Sequence, residues 1–341
     1  MTDSRARGAL PPFVVRDDFL ETAFELRFQG LLRQAWQEHT WHVIAALPGS
    51  GKSLGIADLT HQSNACKASP GATYLPLLAI RAPKNGGTDL ALGTAFCPIF
   101  GIVLAMPWYV RRAWLVQAMA EAKVECLLID DAQDLNLAHL AFLKELTDNL
   151  AAPPYERIVS LCLVTAHSGK VIPLKEIFSR PDILWRQFRR RLDTERPLCV
   201  VVGHTEEEVR SILEAFEMLY RDQLPDLHLL RWTRPIFTWL THATLDLDGT
   251  KRVTMDHLTR LVTAALRRSY EQGATDVDAL TLTQTAELMI LRRDEIVEIA
   301  GTPNAPDFPV QEVSSCHAFT FLIQPGKRRS RSWSSLVKMN G

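Results

Sequence analysis

Two stretches of the chain carry residue types that do chemistry on phosphates. The first is Ala46-Leu47-Pro48-Gly49-Ser50-Gly51-Lys52-Ser53, where an apolar run over 41–47 enters a loop with two glycines and leaves it as a helix-like run from Leu54. Successive amides of such a loop, with the positive end of the helix behind it, hold a triphosphate. Lys52 then reaches the β and γ oxygens and the Ser53 hydroxyl supplies a magnesium ligand. Pro48, Gly49, Ser50, Gly51 and Leu54 complete the expected nucleotide-lining set. The usual pattern has glycine where this chain has Ala46. The second stretch is an apolar run over 124–129 that ends in Asp130-Asp131. A strand delivering a carboxylate at its C-terminal end supplies the other magnesium anchor, Asp130, through water. The adjacent Asp131 is placed to polarise an attacking water. Paired aspartates after a strand commonly just cap a helix, and the phosphate loop upstream is what favours the catalytic reading.

These groups need a frame. Apolar residues at helical spacing over 17–36, Phe19, Leu20, Ala23, Phe24, Leu26 and Leu31, predict one or two helices ahead of the first strand. Further strands are expected over 73–80, 124–129, 158–164 and 198–202, with helices between them. The segment 88–122 reads as helical but is split by Pro98 and Pro107. This β-α alternation predicts an α/β domain with a five-stranded parallel sheet and its site at the strands' C-terminal ends. From Thr205 onward strands vanish and helices are expected over 206–220, 234–244, 255–271 and 280–299. Thr205 and Glu208 have the spacing of a capping box. The expected organisation is a flexible arm over 1–16, a nucleotide-binding core over 17–204, a small all-helical lid over 205–300 and an extension over 301–341 with a basic tail from Lys327.

Composition bounds the rest. The chain has 341 residues, a formal net charge of −1 and 23% charged residues, so any DNA-binding face must be a local patch. Its six cysteines show no CxxC spacing, which supports neither a disulfide framework nor a zinc site. Residues 1–12 have no apolar signal core, and the longest apolar run, over 99–108, is too short and proline-broken to span a bilayer. The expectation is a cytoplasmic protein without a membrane segment.

The phosphate loop, the strand ending Asp130-Asp131-Ala132-Gln133, the polar strand end at Thr165, the arginine-bearing helix before the last strand and the helical lid together resemble an AAA+ ATPase. More narrowly, they resemble the TnsC/TniB transposition regulators, ATPases of transposons including CRISPR-associated ones. The resemblance implies ATP and Mg2+ as ligands. It gives Thr165, or alternatively His167, the place of a sensor of the γ-phosphate. Arg189, Arg190 and Arg191 fall where an arginine reaches a neighbour's nucleotide; Arg191, followed by Leu192, fits best and Arg190 next. Arg234 matches a second sensor arginine in the lid. Family members usually have Glu where this chain has Asp131, which sets the carboxylate about 1.5 Å farther back; a displacement of that order costs ~100-fold in rate, so hydrolysis is expected to be slow.

An arginine supplied in trans implies a homo-oligomer, a ring or helical filament with ATP at its joints. The resemblance further implies double-stranded DNA in the bore, contacted through Lys84, Arg111 and Arg112, with Arg81 and Lys123 as weaker candidates. The implied partners are a TniQ-type adaptor and a TnsB-type DDE transposase. Two rival readings are another DNA-associated AAA+ ATPase, of helicase-loader or initiator type, and an NTPase signalling switch. Residues after Ala300 look too proline-broken for the winged helix an initiator usually adds.

Overall fold

Thr22 starts the first helix, α1 (Ala23–Gln37), by accepting the Glu25 N–H on its hydroxyl at 3.3 Å. Phe24, Phe28 and Leu32 recur on the buried face of α1, and that face covers the sheet next to the phosphate loop. The computed structural model describes residues 21–65, 74–84, 87–167, 174, 179–192 and 198–289. The calls on the 1–16 arm, on Phe19 and Leu20, on Cys66 and Cys316, on the helix beyond residue 289 and on the 301–341 extension lie outside those residues.

The core alternates strand and helix as expected. Strand β1 (Trp41–Ala46) leads to α2 (Lys52–Ala65), β2 (Leu77–Arg81), α3 (Asp89–Phe96), α4 (Trp108–Glu121), β3 (Cys126–Asp130), α5 (Leu137–Ala151), β4 (Ser160–Ala166), α6 (Ile183–Arg189) and β5 (Leu198–Val201). The sheet order is β2-β3-β4-β1-β5 and every pairing is parallel. Parallel strands buried on both faces need continuous apolar runs, and β1 and β3 are buried along their whole length. Alternate residues divide between two layers. Val43, Leu127, Ile129, Leu161 and Leu163 meet α3, α4 and α5, while Ile44, Leu128, Cys162 and Val164 meet α1 and α2.

Register puts the chemistry at one end. Ala46 of β1 pairs with Ala166 of β4, and Arg81 of β2 pairs with Asp130 of β3. Phosphate loop, acidic pair and the Thr165 strand end therefore share one edge. Pro98 and Pro107 do split the 88–122 segment, one within a short 3-10 helix (Cys97–Phe100) and the other at the N-cap of α4. Cys97, Cys126, Cys162 and Cys199 are buried.

After the core comes the helical lid, with four α-helices among the described residues: α7 (Glu206–Tyr220), α8 (Thr233–Leu240), α9 (Met255–Glu271) and α10 (Ala279–Glu287). The expected capping box is present, with the Thr205 hydroxyl accepting from Glu208 and the Glu208 carboxylate accepting from Thr205. Val209, Leu213, Phe216, Ile236, Leu258 and Leu261 give the lid its own core. Helix α8 begins one residue before Arg234 and stops at Leu240, short of the expected Thr244. Three ties fix lid to core. His204 and Val253 exchange backbone hydrogen bonds of 2.8 and 3.0 Å; Arg27 of α1 pairs with Glu208 of α7; and the Asp256 N–H at the start of α9 donates to the Gly49 carbonyl at 2.9 Å. Among the described residues no helix is long and apolar enough to cross a membrane.

Candidate nucleotide site

The phosphate loop is bent by two residues that need glycine. Gly49 has φ +73° and Gly51 φ +104°, conformations that side chains resist. Neighbours press on both: a Cβ on Gly49 would stand 2.8 Å from Asp256 Cβ, and one on Gly51 2.6 Å from Glu25 Oε1. The loop is thus held between α1 and the lid. Ala46, which departs from the usual glycine, is the last residue of β1, fully buried and in ordinary strand conformation. Nothing at that position calls for a positive φ, so the methyl group is accommodated in the core.

Lys52 opens α2, and its ammonium donates to the carbonyls of Ala46 (3.3 Å) and Leu47 (3.0 Å). Burial lowers its pKa, against the opposing pull of Asp130 and Asp131. The Ser53 hydroxyl donates to Asp130 Oδ2 at 2.5 Å, while Asp130 Oδ1 accepts the Asp131 N–H at 2.9 Å. A hydroxyl and a carboxylate brought together beside a lysine are hard oxygen donors of the kind magnesium takes along with phosphate oxygens and water. Among the described residues no group of three or more His, Cys, Asp or Glu could hold a metal.

Asp131 occupies the left-handed region, φ +53°, which Asp tolerates better than most residues. Both of its oxygens are engaged. Oδ2 accepts from the Arg81 guanidinium and Oδ1 accepts from Gln133 Nε2 at 3.0 Å. Burial pushes this carboxyl up, but the hydrogen bonds from Gln133 and Arg81 and the Arg81 charge outweigh it and hold the pKa below the usual value. Gln133 Oε1 in turn accepts the Ala166 N–H at 2.9 Å and the Thr165 hydroxyl at 3.4 Å. Gln133 therefore couples the second aspartate to the end of β4. Sequence reasoning used Gln133 only as part of a phrase; its place two residues after Asp131, across a tight turn, was the available signal. Thr165 is fully buried at that junction, and His167, next along, is also buried.

Other expected site residues are placed differently. Arg111 is only 8% exposed; it stacks over Trp108 at 5.5 Å and donates to Thr94 Oγ1 at 3.4 Å. Arg112 lies over the Phe142 ring and pairs with Asp89 (3.7 Å) and Glu145. Both are engaged within their own chain, where the start of α4 packs against α3 and α5. Lys84 is exposed on the loop after β2. Arg191 pairs with Asp148, donates to Thr147 and sits 5.0 Å over Trp41, so it is committed within its own chain. Arg189 and Arg190, at the end of α6, are exposed. Arg234 is exposed on α8. Asp256, at the start of α9, meets the phosphate loop at Gly49, and its Oδ1 accepts from Arg260 Nε at 3.0 Å.

No protein-family model matches the chain, and no curated protein does. Among solved structures it is similar to the Aeropyrum pernix ORC2 protein in its ADPNP–ADP complexes, at 12% identity and TM-score 0.54 over 86% of this chain and 73% of that one. It is also similar to Drosophila ORC bound to DNA, at 12% identity and TM-score 0.51 over 86% and 72%. Likeness at this identity is likeness of fold. The chain has the AAA+ fold: a P-loop α/β core with a five-stranded parallel sheet, followed by a helical lid.

Proposed function

We propose that this chain is an ATP-dependent regulator of DNA transposition of the TnsC/TniB type. It assembles on double-stranded DNA, marks a target site and connects a TniQ-type adaptor to a TnsB-type transposase. The observation that carries the nucleotide half of this reading is the 2.5 Å contact of Ser53 with Asp130 beside Lys52 and the two bent glycines. The phrase Asp130-Asp131-Ala132-Gln133 supports the transposition half.

The residues divide the work. Amides of Gly49 to Ser53 and the Lys52 ammonium bind the phosphates. Ser53 and Asp130 hold Mg2+, which when bound supplies charge neutralisation at the β and γ oxygens. Asp131 orients the attacking water, Gln133 sets its direction and Thr165 senses the γ-phosphate. While Arg81 and Gln133 hold both oxygens of Asp131, turnover is slow. Phosphates of a duplex engaging Lys84 compete for Arg81, three residues earlier at the end of β2, and release Asp131. Arg190 is the arginine that reaches a neighbouring subunit's nucleotide, since Arg191 is engaged at home. Arg234 serves as the second sensor arginine of the lid.

The likeness to ORC2 and to Drosophila ORC bound to DNA favours a second reading, an initiator-like ATPase on DNA. Titration of the protein with ATP and Mg2+ tests the nucleotide site: the wild type binds and Lys52→Ala does not. Unchanged binding by Lys52→Ala would remove the basis of both readings.

A further inference from the structure

Helix α1 places one carboxyl group directly against the phosphate loop. Glu25, the third residue of α1, is 3% exposed. Its Oε1 lies 2.6 Å from where a Cβ of Gly51 would stand, and its Cγ 3.9 Å from the same point on Gly55. Oε2 is buried without a hydrogen-bond partner among the described residues. The ionisable groups around it do little to keep it charged. From α2 it faces Asp58, a like charge held by Gln29 and Gln62. Lys52 at the head of α2 turns its ammonium to the Ala46 and Leu47 carbonyls instead. From the segment joining core and lid, His204 packs against Phe24 with ring centroids 5.9 Å apart. Burial holds His204 near pKa 4, hence neutral. Arg27 on α1 is committed to Glu208 of α7. Burial pushes the Glu25 carboxyl up to about 7, against backbone hydrogen bonds from its own turn that favour the charged form.

We propose that Glu25 takes up a proton when nucleotide binds: the phosphate charge arriving on the far side of Gly51 forces the neighbouring carboxylate into its acid form. The proton comes from solvent onto a Glu25 oxygen and no other bond changes. Two like charges separated by one glycine in a low-dielectric site cannot both persist cheaply, and the side chain is the group able to neutralise. Nucleotide occupancy, proton binding and α1 thereby become linked, and nucleotide is held more tightly on the acid side of neutrality than on the basic side. The inference rests on the reading of Gly49 to Ser53 as the nucleotide loop.

The test is isothermal titration of the full chain with ATP and excess Mg2+ at pH 6, 7 and 8, each in two buffers of different ionisation enthalpy. The buffer dependence of the heat counts protons. Comparison with Glu25→Gln cancels protons that belong to the nucleotide. If binding moves the carboxyl by one pH unit, the wild type relative to Glu25→Gln should take up almost no proton at pH 6 and about 0.4 of a proton at pH 8, and its affinity should fall about fivefold across that range. Glu25→Asp, which keeps the charge, should retain an uptake. Equal proton counts in wild type and Glu25→Gln would overturn the proposal while leaving the nucleotide site intact. If Glu25→Gln does not fold, a wild-type proton count that fails to rise from pH 6 to pH 8 overturns it. Absence of nucleotide binding at every pH would instead overturn the site reading, and this inference with it.

Discussion

Replacing Arg81 by alanine removes one of the two groups that hold Asp131. The Arg81 side chain is 63% exposed, so its pair with Asp131 is of the surface kind, worth about 0.2–1 kcal/mol. The same range limits the change in folding stability and sets the change in function. Weakening the hold on Oδ2 by that amount raises the fraction of molecules with the oxygen free to orient water by up to about fivefold. Steady-state ATPase turnover of Arg81→Ala at saturating ATP should rise by a similar factor, with thermal stability close to wild type. Loss of the guanidinium also lets the Asp131 pKa rise toward the ordinary carboxylate range, so the acid limb of the pH–rate profile should move to higher pH. Duplex DNA should stimulate the wild type more than the variant, because the variant has no pair left to break. Turnover that is unchanged or lower in Arg81→Ala, in a protein that still binds ATP, would refute the idea that this pair restrains Asp131.

Four further outcomes are expected. Asp131→Glu restores the longer carboxylate and should raise turnover, by up to the ~100-fold that ångström-scale misplacement costs; an equal or lower rate counts against slow hydrolysis by a short base. Arg111→Ala should destabilise the fold by about 1–3 kcal/mol through loss of its buried contacts and leave the salt dependence of DNA binding alone, whereas Lys84→Ala should reduce that salt slope by about one per subunit with stability unchanged; denaturant melts and binding titrations separate the two. Arg190→Ala alone should lower hydrolysis, and mixing it with Lys52→Ala subunits, which keep Arg190, should restore part of the activity in a subunit-mixing assay, while Arg191→Ala should mainly lower the melting temperature. The Glu25 carboxyl, raised by burial to about 7 in the folded protein, contributes stability that is fully present below its unfolded value and lost as pH rises through about 7. Glu25→Gln should therefore gain up to ~3 kcal/mol on the wild type between pH 4 and pH 8 in urea unfolding, and parallel stability curves would exclude this.

What could be read from the sequence was what is encoded locally. The phosphate loop is a contiguous strand–turn–helix, Asp130 ends an uninterrupted apolar run, and the Thr205–Glu208 box spans a single turn; each stands in the structure where its pattern places it. Contacts between distant segments were not legible. Arg81 and Asp131 meet only because β2 and β3 pair in register, and Glu25 reaches Gly51 only because α1 folds back across the loop. The contacts of Arg111 and Arg112 within their own chain were not read from the sequence, though one of them had a local signal. Arg111 lies four residues before Leu115, a fully buried residue of α4, and that spacing marks an inward face. Arg191 carried no comparable signal, since Asp148 and Trp41 come from elsewhere in the chain.

The central claim is that nucleotide joins copies of this chain on DNA. Negative-stain imaging of the protein with linear duplex DNA, with and without ATP and Mg2+, tests it most directly. The account predicts rings or filaments on the duplex with ATP, none without it, and none for Lys52→Ala. Isolated particles in every condition, or assemblies that form equally well without nucleotide, would contradict it.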